Sequence, residues 1–484
     1  MNSEVRVRYA PSPTGYIHIG NLITALYNYL FARHNNGKFI LRIEDTDQTR
    51  KVEGAVENII STLKWAGLDY DEGPLKGGPF KPYFQSERLG IYKEHADFLI
   101  NHKKAYNCFC TSERLNTLRE EQKKLKLPQT KYDKLCLHLS NEEINRNLSE
   151  GISHVVRLNV EEGKVIKFND HIRGEVEFLS ELVDDQILIK SDGFPTYHLA
   201  NVVDDHLMEI SHVIRGEEWL PSTPKHVLLY NSFGWELPVF AHLPLLFNPD
   251  RSKLSKRQGD VAVEDYKNKG YLKESLINFI ALLGWTAGDD KEFYFMDELI
   301  KSFSLDRVND SGAVFDIEKL NWLNEEHLRI KTDEELVRML REELNKSKYS
   351  SLEFTDEYLI EVITVMKPRI SFIKEIFEKG YYFFEEPDVY DEVAVTKGWK
   401  TDSSIILEKF TEKISAIEYP TKEDYETSLN ETALEMNTGK GSVIHPLRLA
   451  VSGVSGGPGI FDIVFIIGKD KTIERINKII EKLS

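Results

Sequence analysis

Two short segments, far apart in the chain, carry the residue types that nucleotide chemistry needs. The first is Pro11–Asn21, which reads Pro-Ser-Pro-Thr-Gly-Tyr-Ile-His-Ile-Gly-Asn, and the second is Lys253–Arg257, which reads Lys-Leu-Ser-Lys-Arg. The first offers an imidazole and a predicted helix start, and the second offers clustered cations. This combination predicts an ATP-activating site, because dipoles and cations stabilise a triphosphate whose pyrophosphate must leave. The predicted catalytic residues are His18, Gly20, Lys253 and Lys256.

His18 and Gly20 follow a predicted strand and open a predicted helix, which is the context that gives such a motif meaning. Gly20 allows a phosphate or an adenine to lie against the backbone, where a β-carbon would clash. His18 can donate a hydrogen bond to a phosphate oxygen as negative charge develops. The alternative is a turn histidine with an ordinary glycine at a helix start. The preceding Pro-Ser-Pro-Thr-Gly and the distant Lys253–Arg257 favour the functional interpretation.

All three cysteines of the chain fall in one constellation. Cys108-Phe-Cys110 is followed, after 25 residues, by Cys136-Leu-His138. Three thiols and an imidazole are the ligands of a closed tetrahedral zinc site, which leaves no open position for catalysis. The alternative is three scattered buried thiols and a surface histidine, which this clustering disfavours. We therefore predict a structural zinc held by Cys108, Cys110, Cys136 and His138.

The whole-chain composition limits the class of protein. The chain has 484 residues, 41% of them apolar, and a formal net charge of −17. This length predicts three or more domains, and the acidic balance argues against a generally basic nucleic-acid coat without excluding an RNA partner. Few cysteines, no signal-peptide core and no apolar run long enough to span a bilayer lead us to expect a soluble cytoplasmic protein.

The order of predicted elements indicates a parallel α/β sheet near the start of the chain. A strand over 5–10 is followed by a helix over Leu22–Arg33, a second strand over Phe39–Ile43, and helices over Val52–Trp65 and Glu87–His102. This order is typical of a βαβ unit, with ligands at the carboxyl ends of the strands. Short strands then mix with a charged helix, and the tail contains only predicted helices. The helix predicted over 356–377 contains Pro368 and is expected to break or kink just before it.

Five segments resemble the class I aminoacyl-tRNA synthetases, and most closely the bacterial glutamyl-tRNA synthetases. In family order they are Arg8–Gly15, Leu41–Asp47, Tyr197–Asn201, Val213–Trp219 and Lys253–Arg257. The chain departs from the class motifs at Asn21, where a second histidine is usual, and at Leu254 and Arg257. These departures are tolerated in this subfamily, so they affect only the role of a second imidazole.

The resemblance implies a fold class and a set of domains. We expect an α/β Rossmann-type class I catalytic domain with an α+β insertion, followed by an all-α C-terminal anticodon-binding region. The predicted domains are the first catalytic half (1–104), a zinc-containing insertion that contacts the tRNA acceptor arm (105–190), the second catalytic half (191–258), a connecting domain (259–330) and the anticodon-binding domain (331–484).

The resemblance also implies a two-step ligase. L-Glutamate and ATP form glutamyl-adenylate, helped by Mg²⁺, and the terminal ribose of tRNA(Glu) then takes the glutamyl group. Positioning and charge stabilisation do most of this chemistry. Charging of tRNA(Gln) stays open, bound tRNA is expected to be needed for activation, and a monomer is expected. The residues implied to contact ATP are His18, Gly20, Glu218, Leu246 and Lys256.

The residues implied to bind glutamate agree with the chemistry of this substrate. Its ammonium needs a carboxylate, for which Glu44 at the end of a strand is suited. Its carboxylate needs a guanidinium, for which Arg8 and Arg215 are suited because their forked N–H groups bind carboxylates bidentately. Surface ion pairs are the usual alternative for an arginine. By resemblance, Ala10, Ser12, Tyr197 and Asn201 complete the pocket.

Three other interpretations remain open from the sequence. A glutaminyl synthetase shares the catalytic half but has β-barrels in its tail. A tRNA-modifying glutamyl transferase lacks a helical tail. An RNA-binding zinc protein with a degenerate nucleotide site is the alternative of a different class, and ATP-dependent pyrophosphate exchange separates it from an enzyme.

Overall fold

The computed structural model describes residues 4–127, 130–252, 254 and 262–483. The chain forms two compact units. The first comprises Met1–Lys269 with Lys273–Ile317, and the second comprises Gly270–Leu272 with Glu318–Ser484. The first is a mixed α/β unit, and the second is helical.

Strand pairing in the first unit places the ends of the first, second and eighth strands side by side. The strands are β1 (Arg6–Tyr9), β2 (Lys38–Leu41), β3 (Ala105–Cys108), β4 (Val155–Leu158), β5 (Val165–Asp170), β6 (Gly174–Leu179), β7 (Ile187–Ile189), β8 (His212–Gly216), β9 (Val239–Leu243), β10 (Leu246–Phe247) and β11 (Ala313–Val314). β1 pairs in parallel with β2, and β8 pairs in parallel with β9. Ser211, just before β8, donates its backbone N–H to the Arg6 carbonyl at 3.0 Å, so β1 lies beside β8.

The helices of the first unit flank these sheets and confirm the predicted βαβ unit. They are α1 (Ile19–His34), α2 (Ala55–Trp65), α3 (Leu89–Asn101), α4 (Ser112–Lys124), α5 (Asn141–Ser149), α6 (Tyr197–Leu207), α7 (Thr223–Phe233), α8 (Val263–Lys269), α9 (Lys273–Ala281) and α10 (Met296–Ser302). α1 begins at Ile19 rather than at the predicted Leu22, because the His18 side chain accepts a hydrogen bond from Gly20 N and caps the helix.

The segment predicted as an insertion contains a small antiparallel sheet. β4 pairs with β3 on one side and with β7 on the other, both antiparallel. β5 and β6 form a hairpin, and Asp170 at the end of β5 pairs with Phe240 of β9. The hairpin therefore extends the sheet that contains β8 and β9. The predicted domain boundaries at 105 and 190 stay predictions.

The second unit is built from helices around a single apolar core. They are α11 (Ile317–Arg329), α12 (Asp333–Leu344), α13 (Asp356–Met366), α14 (Glu375–Lys379), α15 (Glu392–Gly398), α16 (Ser403–Ser415), α17 (Lys422–Glu435), α18 (Gly441–Ser452), α19 (Ile460–Ile467) and α20 (Lys469–Leu483). The helix predicted over 356–377 ends at Met366, because Pro368 lies in the following 3₁₀ turn, where its missing N–H is tolerated. Among the described residues, no helix has the length and apolar content needed to cross a bilayer.

Candidate active site

A cavity of about 300 Å³ opens at the carboxyl ends of β1 and β8. Its walls come from the loop after β1, the start of α1, one face of α6 and the end of β8. All seven residues predicted to bind glutamate line it: Arg8, Ala10, Ser12, Glu44, Tyr197, Asn201 and Arg215. They come from four separate segments of the chain, so the fold brings this predicted set together.

Arg8 is already paired with a carboxylate of the chain. Its Nε and Nη2 lie 3.0 and 3.2 Å from the two carboxylate oxygens of Asp205. Arg42, which is fully buried, also pairs with Asp205 at 2.8 Å and with Glu44 at 3.0 Å. A fourth buried pair joins Arg88 to Asp204 at 2.7 Å, and Asp204 Oδ2 also lies 3.7 Å from Arg42 Nε. The carboxylates of this network neutralise the charge of Arg8. Arg8 therefore has a structural role at the floor of the pocket, where it holds Asp205 in place.

Sequence analysis missed Asp204 and Asp205, which are two of the three carboxylates in this network. Asp205 lies on α6 one turn after Asn201, and both are buried. An acidic residue next to the buried run Leu199–Val203 was the available signal, because a buried carboxylate needs a charged or hydrogen-bonded partner.

Glu44 keeps one carboxylate oxygen available in the cavity. Its Oε1 accepts hydrogen bonds from Arg42 Nη2 and from Asn201 Nδ2, each at 3.0 Å. Its Oε2 has no hydrogen-bond partner among the described residues. Burial raises the pKa of Glu44, and the neighbouring arginines and Asn201 oppose that rise. A bound cation would stabilise the ionised form further.

Arg215 is buried, and its described partners include no carboxylate. Its guanidinium donates to Tyr197 Oη at 3.0 Å, Thr223 Oγ1 at 2.9 Å and His242 Nε2 at 3.1 Å, and it lies 3.3 Å from His226 Nδ1. All four partners are uncharged in this arrangement. Among the described residues no carboxylate lies within 4.0 Å of this guanidinium. An unbalanced buried cation next to a cavity favours an anionic ligand.

The two histidines beside Arg215 are held in their neutral forms. Burial, and then the charge of Arg215, lower the pKa of His226 well below its ordinary value. Burial also lowers the pKa of His242, although its hydrogen bond to Asp170 acts in the opposite direction. Neither histidine was predicted, because a buried neutral imidazole leaves no local pattern in the sequence.

His18 occupies the N-cap of α1, and its ring orientation follows from that position. Its Nδ1 accepts from Gly20 N at 3.1 Å, so in the neutral ring the proton is on Nε2. A β-carbon at position 20 would lie 3.0 Å from the His18 ring, which is a local reason for Gly20. The arrangement provides one imidazole N–H at a helix N-terminus.

The residues predicted to contact ATP are only partly described. Glu218 lines the cavity and is exposed. Leu246 begins β10, and its carbonyl accepts from Leu254 N at 2.9 Å. Lys253 and Lys256 lie outside the described residues.

The three cysteines form a compact thiol cluster at the end of β3, in the loop that follows it and in the 3₁₀ turn Leu135–His138. The sulfur atoms of Cys108, Cys110 and Cys136 lie within 4.8 Å of one another. A hydrogen bond from Cys136 lowers the pKa of Cys108. His138, the predicted fourth ligand, is exposed and is not part of this group, whereas Tyr132 Oη lies 3.3 Å from Cys110 Sγ. Three clustered thiols fit the ligand set of zinc.

Comparison with known proteins decides the family. Residues 4–322 match the family model described as tRNA synthetases class I (E and Q), catalytic domain. The chain belongs to the class I tRNA synthetases. Residues 335–480 match a second model, described as an anticodon binding domain. Members of this class use ATP as a substrate.

Several class I tRNA synthetases align with nearly the whole chain. The glutamate–tRNA ligases of Chlorobaculum parvum and Chloroherpeton thalassium are each 50% identical to it, over 99% of this chain and 98% of theirs. The crystal structure of a glutamate tRNA ligase from Elizabethkingia meningosepticum, in complex with its amino acid, superposes with a TM-score of 0.95 at 40% identity and covers 100% of both chains.

These matches confirm the predicted fold class, with a class I catalytic region followed by a helical anticodon-binding region. Together with the fold, they argue against two of the three alternative interpretations of the sequence. Residues 318–483 contain no strand, whereas a glutaminyl synthetase was expected to have β-barrels there. The helical region itself argues against a tRNA-modifying transferase that lacks one.

Proposed function

We propose that this chain is a glutamate–tRNA ligase that joins L-glutamate to the 3′-terminal ribose of tRNA(Glu), using ATP. One observation carries the proposal: a single cavity contains the buried carboxylate of Glu44 and the buried, unbalanced guanidinium of Arg215. A free amino acid with an acidic side chain brings the complementary ammonium and carboxylate. The curated relatives that align over the whole chain are glutamate–tRNA ligases, which supports the same substrate.

In this proposal the pocket selects an acid over an amide. Glu44 Oε2 accepts from the substrate ammonium, and the Arg215 N–H groups donate to the side-chain carboxylate. Glutamine would leave the buried charge of Arg215 unbalanced, which is unfavourable in a site of low polarity. Ala10 and Ser12, which line the same wall, provide the close backbone approach.

Activation is an in-line displacement at phosphorus. An oxygen of the glutamate α-carboxylate attacks the ATP α-phosphorus, and the bond to pyrophosphate breaks as pyrophosphate leaves. His18 Nε2–H and the first backbone N–H groups of α1, including that of Gly20, stabilise the phosphate charge. Glu218 and Leu246 bind the nucleotide, and Lys253 and Lys256 neutralise the leaving group, as the resemblance implies. Bound Mg²⁺ would supply further neutralisation of the triphosphate.

Transfer uses tRNA as the second substrate. The terminal ribose 2′-hydroxyl attacks the carbonyl carbon of the mixed anhydride, and AMP leaves. The helical region over 335–480 binds the anticodon arm in this proposal, in line with the family model that it matches. Whether tRNA(Gln) is also charged is an outcome of the test below.

We propose that the thiol cluster of Cys108, Cys110 and Cys136 holds a structural zinc. The fourth ligand is the predicted His138 or Tyr132, whose hydroxyl already lies beside Cys110. Zinc content measured on purified H138A and Y132F separates the two, since only loss of a true ligand lowers metal occupancy. Full zinc content in both variants would contradict a four-ligand site of either composition.

The proposed activity is tested by charging transcripts of the glutamate and glutamine tRNAs with labelled glutamate, ATP and Mg²⁺. We expect charging of the glutamate tRNA, and charging of both would identify a relaxed enzyme that needs a downstream amidotransferase. Arg215→Gln is expected to lower kcat/KM for glutamate by about 100-fold or more, because a buried charge pair is lost. Arg329→Gln is the matched control, since Arg329 is half exposed and, among the described residues, forms ion pairs only with Glu325 and Glu326 of its own helix.

Absence of charging and of ATP–pyrophosphate exchange in the wild type would contradict the proposal. That result would favour the RNA-binding zinc protein with a degenerate nucleotide site. Equal losses in Arg215→Gln and Arg329→Gln would remove the assigned role of Arg215.

A further inference from the structure

Arg215 contacts a buried pair of side chains, His242 and Asp170, to which the proposed function assigns no role. His242 lies on β9 with its side chain fully buried, and its Nδ1 is 2.5 Å from Asp170 Oδ2. Its Nε2 is the atom that meets Arg215 Nε at 3.1 Å. The three residues therefore form one line of contacts from the β5–β6 hairpin to the cavity.

Asp170 is held as an ionised carboxylate by the backbone around it. Its Oδ1 accepts from the backbone N–H groups of Ile172, Arg173 and His242 at 3.1, 3.0 and 3.3 Å. Burial alone would raise the pKa of Asp170, but the hydrogen bonds from His242 and the backbone outweigh it, and the pKa is lowered. An ionised carboxylate can only accept hydrogen bonds.

This fixes which ring nitrogen of His242 carries the proton. Nδ1 must donate because Asp170 accepts, and Nε2 must accept because the Arg215 Nε–H can only donate. His242 is therefore neutral, with its lone pair directed at the guanidinium. A protonated His242 would place two donors against each other.

The opposite side of the guanidinium is arranged in the same way. Arg215 Nη1 donates towards His226 Nδ1, and the other nitrogen of His226 lies 3.1 Å from His198 Nδ1. Both imidazoles are neutral, since burial lowers the pKa of His198 to about 3 and that of His226 well below its ordinary value. The guanidinium is thus oriented from two sides by acceptors without charge.

We propose that Asp170 and His242 are positioning residues that fix the orientation of Arg215 and leave its charge unneutralised, so that the site binds a side-chain carboxylate in preference to an amide. The nearest carboxylate along this line, Asp170, is separated from Arg215 by a neutral ring. Direct pairing, as between Arg8 and Asp205, would remove the need for an anionic ligand. The proposal rests on the proposed function, because it concerns how that pocket distinguishes glutamate from glutamine.

The test measures binding of L-glutamate and of L-glutamine to the full chain by calorimetry, with KM for ATP and the melting temperature as further readouts. His242→Phe keeps most of the volume but has no lone pair, whereas His242→Gln offers both an N–H for Asp170 and an acceptor for Arg215. Asp170→Asn can donate to Nδ1 and so turn a proton towards Arg215. His102→Phe is the control, at an exposed histidine at the end of α3.

We expect Asp170→Asn and His242→Phe to weaken glutamate binding by about tenfold or more, with glutamine binding and KM for ATP changed by less than about threefold. His242→Gln and His102→Phe should stay within about threefold of the wild type. Wild-type glutamate binding in His242→Phe, or an equal loss in His242→Gln, would overturn the proposal. Glutamate binding without any tRNA charging by the wild type would instead refute the proposed function alone.

Discussion

At the scale of single residues, the two arginines of the pocket differ in what balances their charge. Arg8 is bidentate to Asp205 and belongs to a network of three buried guanidinium groups and three buried carboxylates. In the part of the chain that the structure describes, Arg215 has only neutral partners. The same residue type is therefore balanced by a carboxylate in one case and has no described counter-charge in the other, and the difference matters because the site is too buried for solvent to screen it.

Glu44→Gln tests the other end of the substrate. The variant removes the acceptor for the ammonium, so glutamate binding should weaken by about tenfold or more. Binding of glutarate, which lacks the ammonium, should change much less. Calorimetry with both ligands measures the difference. A parallel loss for glutamate and glutarate would show that the variant disrupts the pocket through Arg42, which pairs with Glu44, rather than through the ammonium.

At the scale of elements, the thiol cluster brings together two segments that are separated in sequence. Cys108 ends β3, and Cys136 lies in the 3₁₀ turn Leu135–His138. Tyr132 strengthens the connection, because its hydroxyl accepts from Cys136 N at 3.0 Å and its ring lies under Arg157 of β4. Loss of the cluster should therefore loosen the β3–β4–β7 sheet.

Cys136→Ser is expected to abolish stoichiometric zinc binding, because a weaker ligand replaces a thiolate. Hydrogen exchange of the amides in β3, β4 and β7 should become faster, while that of β8 and β9 stays unchanged. Metal analysis and exchange measured by mass spectrometry check both points. Unchanged exchange in the metal-free variant would contradict a structural role for the metal.

The start of α12, in the helical unit, allows the stabilising effect of a helix cap to be tested. Thr332 caps α12 through a capping box with Glu335, in which each side chain binds the backbone of the other residue. Thr332→Ala should lower the free energy of unfolding by about 1 kcal/mol. Thr364→Ala is the control, since Thr364 lies inside α13 and is exposed. Chemical unfolding followed by circular dichroism measures both, and equal effects would contradict the capping assignment.

At the scale of the whole molecule, buried and half-buried neutral histidines contribute to the response to acid. Burial lowers the pKa of His198 to about 3, of His212 to about 4, and of His226 well below its ordinary value. The folded chain keeps these rings neutral while the unfolded chain takes up protons below about pH 6.5. Above that pH the histidines are neutral in both the folded and the unfolded chain and do not change the free energy of unfolding. Below it, proton uptake by the unfolded chain destabilises the folded state.

We therefore expect the free energy of unfolding to decline between about pH 6.5 and 4.5, by about 1.4 kcal/mol per pH unit for each fully buried histidine. Urea unfolding at several pH values measures the slope. His212→Phe, which keeps the ring packing against Phe31, should give a shallower decline. A stability that stays level over this range would contradict the neutral assignment.

The sequence alone determined the features that depend on neighbours along the chain. The βαβ start, the break before Pro368 and the helical tail all follow from local spacing and backbone chemistry. The motifs also placed seven residues that meet in one cavity. The predictions of these elements succeeded because each rests on a few consecutive residues, whereas the binding roles of the seven cavity residues stay predictions.

Only the tertiary structure decided how charge is distributed in the site. Arg8 meets Asp205, and His242 meets Asp170, across long stretches of chain, so no local pattern reveals either pair. The pairing of β5 with β9 brings Asp170 to its place. These distant partners decide whether the charge of a buried arginine is neutralised within the chain or can pair with a ligand. The distinction is large because a buried charge without a counter-charge is strongly unfavourable.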